Sequence, residues 1–342
     1  MLSFCTNARL VSMPQNTAMR GCKRLSIISA SFLLAFSCWT TPACAEWPER
    51  SVSIIVPYAA GGNTDVMARI TAQELQRTLG QSFVVENVVG AGGAIATQNA
   101  ARVEPDGYKL LFATSAQFSI LPNMQKVNYD PIRDFIPLAV VGQAFSVLGI
   151  HPSVPARTLP EFVAHVKANP GKLNYGTGGA GTVGHLVMAS FAARAGIDMV
   201  HVPYKGGSQA MNDLLSGQVQ AYFGNSSELV SFYKGDKLRI LAVGTLQRAG
   251  QFADVPTVAE FYPGFALPAW NGMLAPAGTP PAVVTRLTQQ IQAIVKDPKI
   301  VTRLNELGIE AGGAVGPAMA AMIVEEQKNY KAAISAAGLE TK

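Results

Sequence analysis

Beyond its first 45 residues the chain has no cysteine, because Cys5, Cys22, Cys38 and Cys44 all precede residue 45. That absence excludes a disulfide framework, a thiol nucleophile and a Cys-ligated zinc from everything that follows. Charge is also scarce, at 14% of residues, and aromatics make up 8%, against 49% hydrophobic residues. Such a composition excludes a disordered or collagen-like chain. The formal charge of +5 suggests an anionic macromolecule as partner, but Arg9, Arg20, Lys23 and Arg24 sit in the first 45 residues with no acid among them. The other 297 of the 342 residues carry 23 basic and 22 acidic side chains, with no basic stripe, so no nucleic acid partner is expected. Several motifs are missing as well. There is no G-x-S-x-G elbow, no H-E-x-x-H and no glycine loop ending in Gly-Lys-Ser/Thr. His151, His165, His185 and His201 lack metal-ligand spacing, and neither a metal nor a cofactor is expected.

The four basic residues introduce an apolar run from Leu25 to about Trp39, followed by Thr-Thr-Pro-Ala-Cys-Ala at 40–45. A basic segment, a short apolar segment and an A-x-A ending describe a secretory signal peptide over 1–45, cleaved near Ala45. The run is too short and serine-rich for a membrane span, and no later stretch approaches that length. The expected product is exported to the periplasm.

After the leader, short β-branched runs alternate with longer helical patterns. Val52–Pro57, Ser82–Val88 and Lys109–Thr114 read as strands, separated by helical patterns up to Leu79 and over Gly92–Arg102. A second series follows, with strands at Lys172–Gly176, Met199–Pro203, Val219–Gly224 and Leu238–Gly244 and helices between them. Pro280 to Gly338 is mostly helical. Such alternation predicts an α/β chain with two mostly parallel sheets flanked by helices. Leu138–Ile150 is long and apolar enough to cross between domains, and a return near Leu241–Pro256 completes the count. The expected division is 46–148 plus 246–342 as one discontinuous domain and 149–245 as the other.

Two glycine-rich turns carry most of the functional signal. Pro57-Tyr-Ala-Ala-Gly-Gly-Asn-Thr-Asp65 joins a strand to a helix, and Gly176-Thr-Gly-Gly-Ala-Gly-Thr182 occupies the same place in the second series. Glycine lets backbone N–H groups approach a ligand, and the free amides and dipole of a helix start favour an anion. Tight packing explains either turn alone equally well. The second turn also fits G-x-G-x-x-G, but its position mid-chain in an exported protein argues against a dinucleotide.

Six segments resemble a known family in order: PYAAGGNTD (57–65), ENVVGAGGAIA (86–96), PDGYKLLFAT (105–114), NYGTGGAGTVGH (174–185), VPYKGGSQAMNDLLSGQV (202–219) and WNGMLAPAGTPPAVV (270–284). They are similar to the substrate-binding proteins of tripartite tricarboxylate transporters, the Bug family. The resemblance implies a two-domain periplasmic-binding-protein-like clamshell with its ligand cleft between the domains. It also implies delivery of a small carboxylate to one large and one small integral membrane subunit, by a monomer without enzymatic activity. In the family, backbone groups of the two glycine turns hold a ligand carboxylate, which points here to Ala59–Asp65 and Thr177–Thr182.

The candidate binding residues are Tyr58, Ala60, Gly61, Gly62 and Asp65 at the first turn and Thr177, Gly178, Gly179, Thr182 and His185 at the second. Ser115, Gln117 and Asn225 follow other strands and are candidates for specificity, or else cap their local elements. Asp65 either meets a ligand ammonium or caps its helix; His185 either reaches the cleft or is structural. Trp270 reads as core or hinge packing. The alternative function is an exported hydrolase-like α/β enzyme acting on a small carboxylic acid or ester, which would need a nucleophile with a base and an orienting group.

Overall fold

The computed structural model describes residues 47–340 except 234, 236 and 249. The leader and its four cysteines lie outside the described residues, among which no helix is long and apolar enough to cross a membrane.

The first series runs β1 (Val52–Val56), α1 (Asn63–Leu79), β2 (Phe83–Asn87), α2 (Ala94–Ala100) and β3 (Lys109–Thr114). A π-helical turn over Ala116–Ile120 leads into α3 (Leu121–Met124) and then β4 (Phe135–Gln143). After two residues the chain enters β5 (Ser146–Ile150) and continues through α4 (Leu159–Ala168), β6 (Asn174–Thr177), α5 (Val183–Ala195), β7 (Val200–Pro203), α6 (Gly207–Leu215), β8 (Ala221–Asn225), α7 (Ser226–Leu229) and β9 (Arg239–Val243). It closes with β10 (Trp270–Pro276), α8 (Pro281–Lys296), α9 (Pro298–Glu306), β11 (Glu310–Ala311) and α10 (Pro317–Ala336).

These strands form two sheets, ordered β11-β4-β10-β3-β1-β2 and β7-β6-β8-β5-β9. Both are mixed. In the first, β10 inserts antiparallel between β3 and β4, so that β1 to β4 share one direction. In the second, β5 runs antiparallel between β8 and β9 while the other four strands agree in direction. The chain thus leaves the first sheet after Gln143, builds the whole second sheet, and returns at Trp270.

Each sheet is covered on both faces, and the two-residue period of a strand divides its side chains between them. Ile54, Val56, Leu110, Phe112 and Met273 meet α1, α8 and α9 through Met67, Leu75, Leu287 and Leu304. Their neighbours Ile55, Leu111, Ala113, Trp270 and Leu274 pack on the opposite face against Ala96, Met319 and Ile323 of α2 and α10. In the second sheet Leu148, Ile150 and Phe223 face Phe162, Val187 and Phe191 of α4 and α5, while Val147, Tyr222 and Val243 face Ala210 and Leu214 of α6. All seven residues of β10 are buried, as expected of a central strand closed in on both faces. Two cores therefore hold the two sheets, and the turns at the strand ends are left to meet each other.

Candidate functional site

The first glycine turn is locked from within its own lobe. Gly61 adopts φ +83°, where a Cβ would be strained, and its N–H donates to Asp65 Oδ2 at 2.9 Å. Arg69 Nε donates to the same oxygen at 2.9 Å, and Asn87 Nδ2 donates to Asp65 Oδ1 at 2.9 Å. Asn87 Nδ2 also reaches the carbonyl of Tyr58 at 2.9 Å. Burial alone would raise the Asp65 carboxyl, but the bonds from Arg69, Gly61 and Asn87, together with the Arg69 charge, hold it below the usual carboxylate range. Asp65 is 2% exposed and spends its oxygens on this network.

Gln117 sets the adjacent Tyr58. Its Oε1 accepts from the Thr114 N–H at 2.9 Å and Oγ1 at 3.0 Å, while its Nε2 donates to Tyr58 Oη at 2.8 Å and to the Gly92 carbonyl at 2.9 Å. Burial raises the Tyr58 phenol, as does the charge of Glu228, against hydrogen bonds from Thr114 and Gln117. The phenol therefore stays neutral. Ser115 is fully buried beneath this corner.

In the second lobe, Thr182 caps α5 by accepting from the His185 N–H and donates its hydroxyl to the Gly179 carbonyl at 2.7 Å. Thr177 Oγ1 accepts from the Gly179 N–H at 3.2 Å and pairs with His201 Nε2 at 2.7 Å. The His185 ring stacks on His201 with centroids 4.1 Å apart, and its Nδ1 accepts from the Gly181 N–H at 3.2 Å. Burial pushes both imidazoles down to about 4, and for His185 the neighbouring His201 adds to the effect. Both rings are neutral at pH 7 and offer an anion no charge.

The two turns share one cavity of about 60 Å³. Of the residues singled out from sequence, Tyr58, Gly62, Gly178, Thr182 and Asn225 line it. Ala60, Gly61, Asp65, Ser115, Gln117, Thr177, Gly179 and His185 do not; they shape the turns behind the wall. Asn63 and Thr64 of the expected Ala59–Asp65 turn line it too, while the sequence reading passed over Thr114, Val183, Gly184, Gly207, Tyr222, Glu228, Ala269 and Asn271, all of which line the cavity. Trp270, read as packing, is 1% exposed and packed in the core, and it also borders this space. The lobes are in direct contact around it. Ala59 N–H donates to the Lys205 carbonyl at 3.2 Å, Ser208 Oγ to the Ala60 carbonyl at 3.2 Å and Ser227 Oγ to Asn63 Oδ1 at 2.7 Å. A Cβ on Gly92 would lie 2.3 Å from the Ala180 carbonyl oxygen across the gap. This is a closed arrangement.

Among the described residues no lysine, arginine or histidine lines the cavity, and the only carboxyl that does is Glu228, at the third position of α7. Tyr222 Oη donates to Glu228 Oε2 at 2.5 Å and the Asn225 N–H to the same oxygen at 3.2 Å. The N–H of Asn63, in the first turn of α1, acts on this carboxyl from the other lobe and lowers its pKa. Burial raises the Glu228 pKa, against the lowering effect of these donors. The first turn of α5 is different. Val183 and Gly184 in it, and Gly178 in the turn before it, bring their backbone to the cavity, no acidic side chain from that lobe's turn covers them, and helix geometry leaves the Val183 and Gly184 amides no partner inside the helix. Among the described residues no group of three or more His, Cys, Asp or Glu side chains could hold a metal ion.

Comparison with known proteins gives consistent matches. The family model described as "Tripartite tricarboxylate transporter family receptor" matches residues 67–339. Protein BugT of Bordetella pertussis is 33% identical over 305 residues, spanning 88% of this chain and 94% of that protein. The structure titled "R. palustris Rpa4515 with adipate" superposes with a TM-score of 0.83 at 31% identity, covering 86% of this chain and 99% of the other. "Structure of periplasmic binding protein BugD" gives a TM-score of 0.83 at 35% identity, covering 86% of this chain and all of that one.

Proposed function

Because the chain belongs to the tripartite tricarboxylate transporter receptor family, we propose that it captures a small carboxylate between its two lobes and releases it unchanged. The observation that carries this reading is the cavity itself, to which the Gly62 and Gly178 turns contribute from opposite sheets. The ligand carboxylate sits against the first-turn amides of α5, at Val183 and Gly184, and the amide of Gly178 in the preceding turn, with the Thr182 hydroxyl beside it. Paired amides and the helix dipole supply the attraction that no cationic side chain provides there. Tyr58, held by Gln117, and Asn225 close the opposite side. We divide the described residues into one lobe of 47–143 plus 270–340 and another of 146–268, in place of the expected 46–148 plus 246–342 and 149–245, because β5 starts at Ser146 and Phe252, Val255, Val258 and Phe265 pack into the second sheet's core. The lobes close because a bound ligand adds contacts to both.

The protein is exported to the periplasm after cleavage near Ala45 and acts as a monomer. It hands its ligand to one large and one small integral membrane subunit. The likeness to the periplasmic binding protein BugD supports the location, and the adipate with Rpa4515 supports the ligand class. A thermal-shift screen over mono-, di- and tricarboxylates tests the reading. A true ligand raises the melting temperature with the logarithm of its concentration, corresponding to about 2.7 kcal/mol at a hundred times Kd. The proposal fails if no carboxylate raises it, or if mass spectrometry finds the ligand converted.

A further inference from the structure

We propose that Glu228 is the specificity-determining residue of this cavity and that it selects a ligand carrying an ammonium group opposite its carboxylate, an amino acid rather than a dicarboxylate. The inference rests on the carboxylate-receptor reading above and deepens it.

Three observations converge on Glu228. Among the described residues its carboxyl is the only one lining the cavity, and no cationic side chain lines it. It is not waiting for an internal partner of opposite charge, since the groups that face it are the neutral Tyr222 Oη, the Asn225 N–H and side-chain amide, and the Asn63 N–H. Lastly, it sits at the start of α1, its Oε1 3.7 Å from where a Cβ on the cap residue Gly62 would lie, and the Asn63 N–H there favours its ionised form as it would favour that of a ligand carboxylate. The neighbouring Gly61 amide is committed to Asp65 at 2.9 Å. The two helix starts are therefore unequal. That of α5 is open to a carboxylate, and that of α1 presents a protein carboxylate to whatever lies across the cavity.

A dicarboxylate seated on α5 would bring its second negative group toward Glu228, where like charges repel at close range in a water-poor space. An ammonium group at the same end would meet an acid that otherwise lacks a counter-charge, and it would offset the cost of burying that acid. The steric frame is tight as well. A Cβ on Gly207 would lie 2.0 Å from Glu228 Oε1, so the glycine there leaves this oxygen its place.

The test uses the full mature chain and two matched pairs of probes: succinate against γ-aminobutyrate with four carbons, and adipate against the ω-amino acid with six. Calorimetry should show at least one amino acid binding about tenfold or more tighter than its dicarboxylate partner. Glu228→Gln, which keeps an oxygen acceptor for Tyr222, should bring that ratio to about one or invert it. A second measurement stands on the wild type alone, in case the variant misfolds. Lowering the pH to protonate Glu228, with Tyr222 and Tyr58 neutral throughout, should improve dicarboxylate affinity and weaken that of the amino acid. A wild type that binds dicarboxylates as tightly as amino acids, with no such pH effect, overturns this inference and leaves the carboxylate-receptor reading standing. Failure of every carboxylate, these four and those of the wider screen, overturns both.

Discussion

Glu326 on α10 gives a stability prediction whose size follows from its surroundings. Its Oε2 accepts from Trp270 Nε1 at 2.6 Å and from Ser119 Oγ at 3.3 Å, while Tyr330 Oη beside it donates to the Pro268 carbonyl. Burial pushes the carboxyl from its ordinary 4.5 up to about 7, despite the lowering effect of the Trp270 and Ser119 bonds. The folded state thus binds this proton more tightly than the unfolded chain does. The stability it confers is complete below pH 4.5 and is lost as the pH rises through 7. The span amounts to about 3 kcal/mol. Glu326→Gln keeps an oxygen for Trp270 and Ser119, cannot ionise, and can turn its amide toward the adjoining cavity of about 510 Å³. The variant should match the wild type near pH 4 and exceed it by about 3 kcal/mol at pH 8. Chemical denaturation of both proteins from pH 4 to 8 measures the difference, which also cancels contributions from groups common to both. Parallel curves across that range would refute the reasoning.

The stacked histidines should act in the opposite sense. His185 and His201 titrate at about 4, below the ordinary 6.5. The stability that depends on keeping them neutral is present above pH 6.5 and lost as the pH falls through 4, so His201→Phe should flatten the acid limb of the denaturation profile. Asp65→Asn should cost about 1–3 kcal/mol in denaturant unfolding, because one of the Gly61, Arg69 and Asn87 donors loses its acceptor. The order of ligand preference in the thermal-shift screen should stay the same. A Cβ on Gly178 would meet the Gly207 nitrogen at 3.3 Å and the Gly206 carbonyl carbon at 3.5 Å. Gly178→Leu should therefore push the β7–α6 turn away and weaken carboxylate binding by about tenfold to a hundredfold in calorimetry, with the circular dichroism spectrum unchanged.

Much of this scaffold was legible in the sequence because its signals are local. The VSIIV run, the amphipathic pattern ending at Gly80 and the two glycine turns each specify their conformation within a few residues, and β1, α1 and both turns lie where those patterns put them. β10 is different. Its place between β3 and β4 depends on partners more than a hundred residues earlier, and the run WNGMLAP has neither the alternation nor the β-branched content that marks a strand. The antiparallel insertions that make both sheets mixed were invisible for the same reason.

The cavity was only half legible. Glycine turns announce exposed amides, so Gly62, Gly178 and Thr182 were found. Glu228 reaches the cavity from a short helix that follows β8, and its contact with Asn63 exists only through closure of the two lobes. One local signal was available, the Asn225 to Glu228 spacing of a capping box, which the structure does form. Asp65 and His185 look like binding groups by type and position, yet tertiary partners claim both. For Asp65 the Arg69 four residues on was the clue; for His185 the stacking partner His201 comes from a strand on another segment, which spacing cannot reveal.

The most direct test of the account is a crystal structure of the protein grown with the carboxylate that gives the largest thermal shift. The account places one carboxylate group of that ligand within hydrogen-bonding distance of the Gly178, Val183 and Gly184 amides, inside the cavity bordered by Tyr58 and Trp270. A ligand bound elsewhere on the molecule, or one whose carboxylate is held by a lysine or arginine side chain, would contradict it.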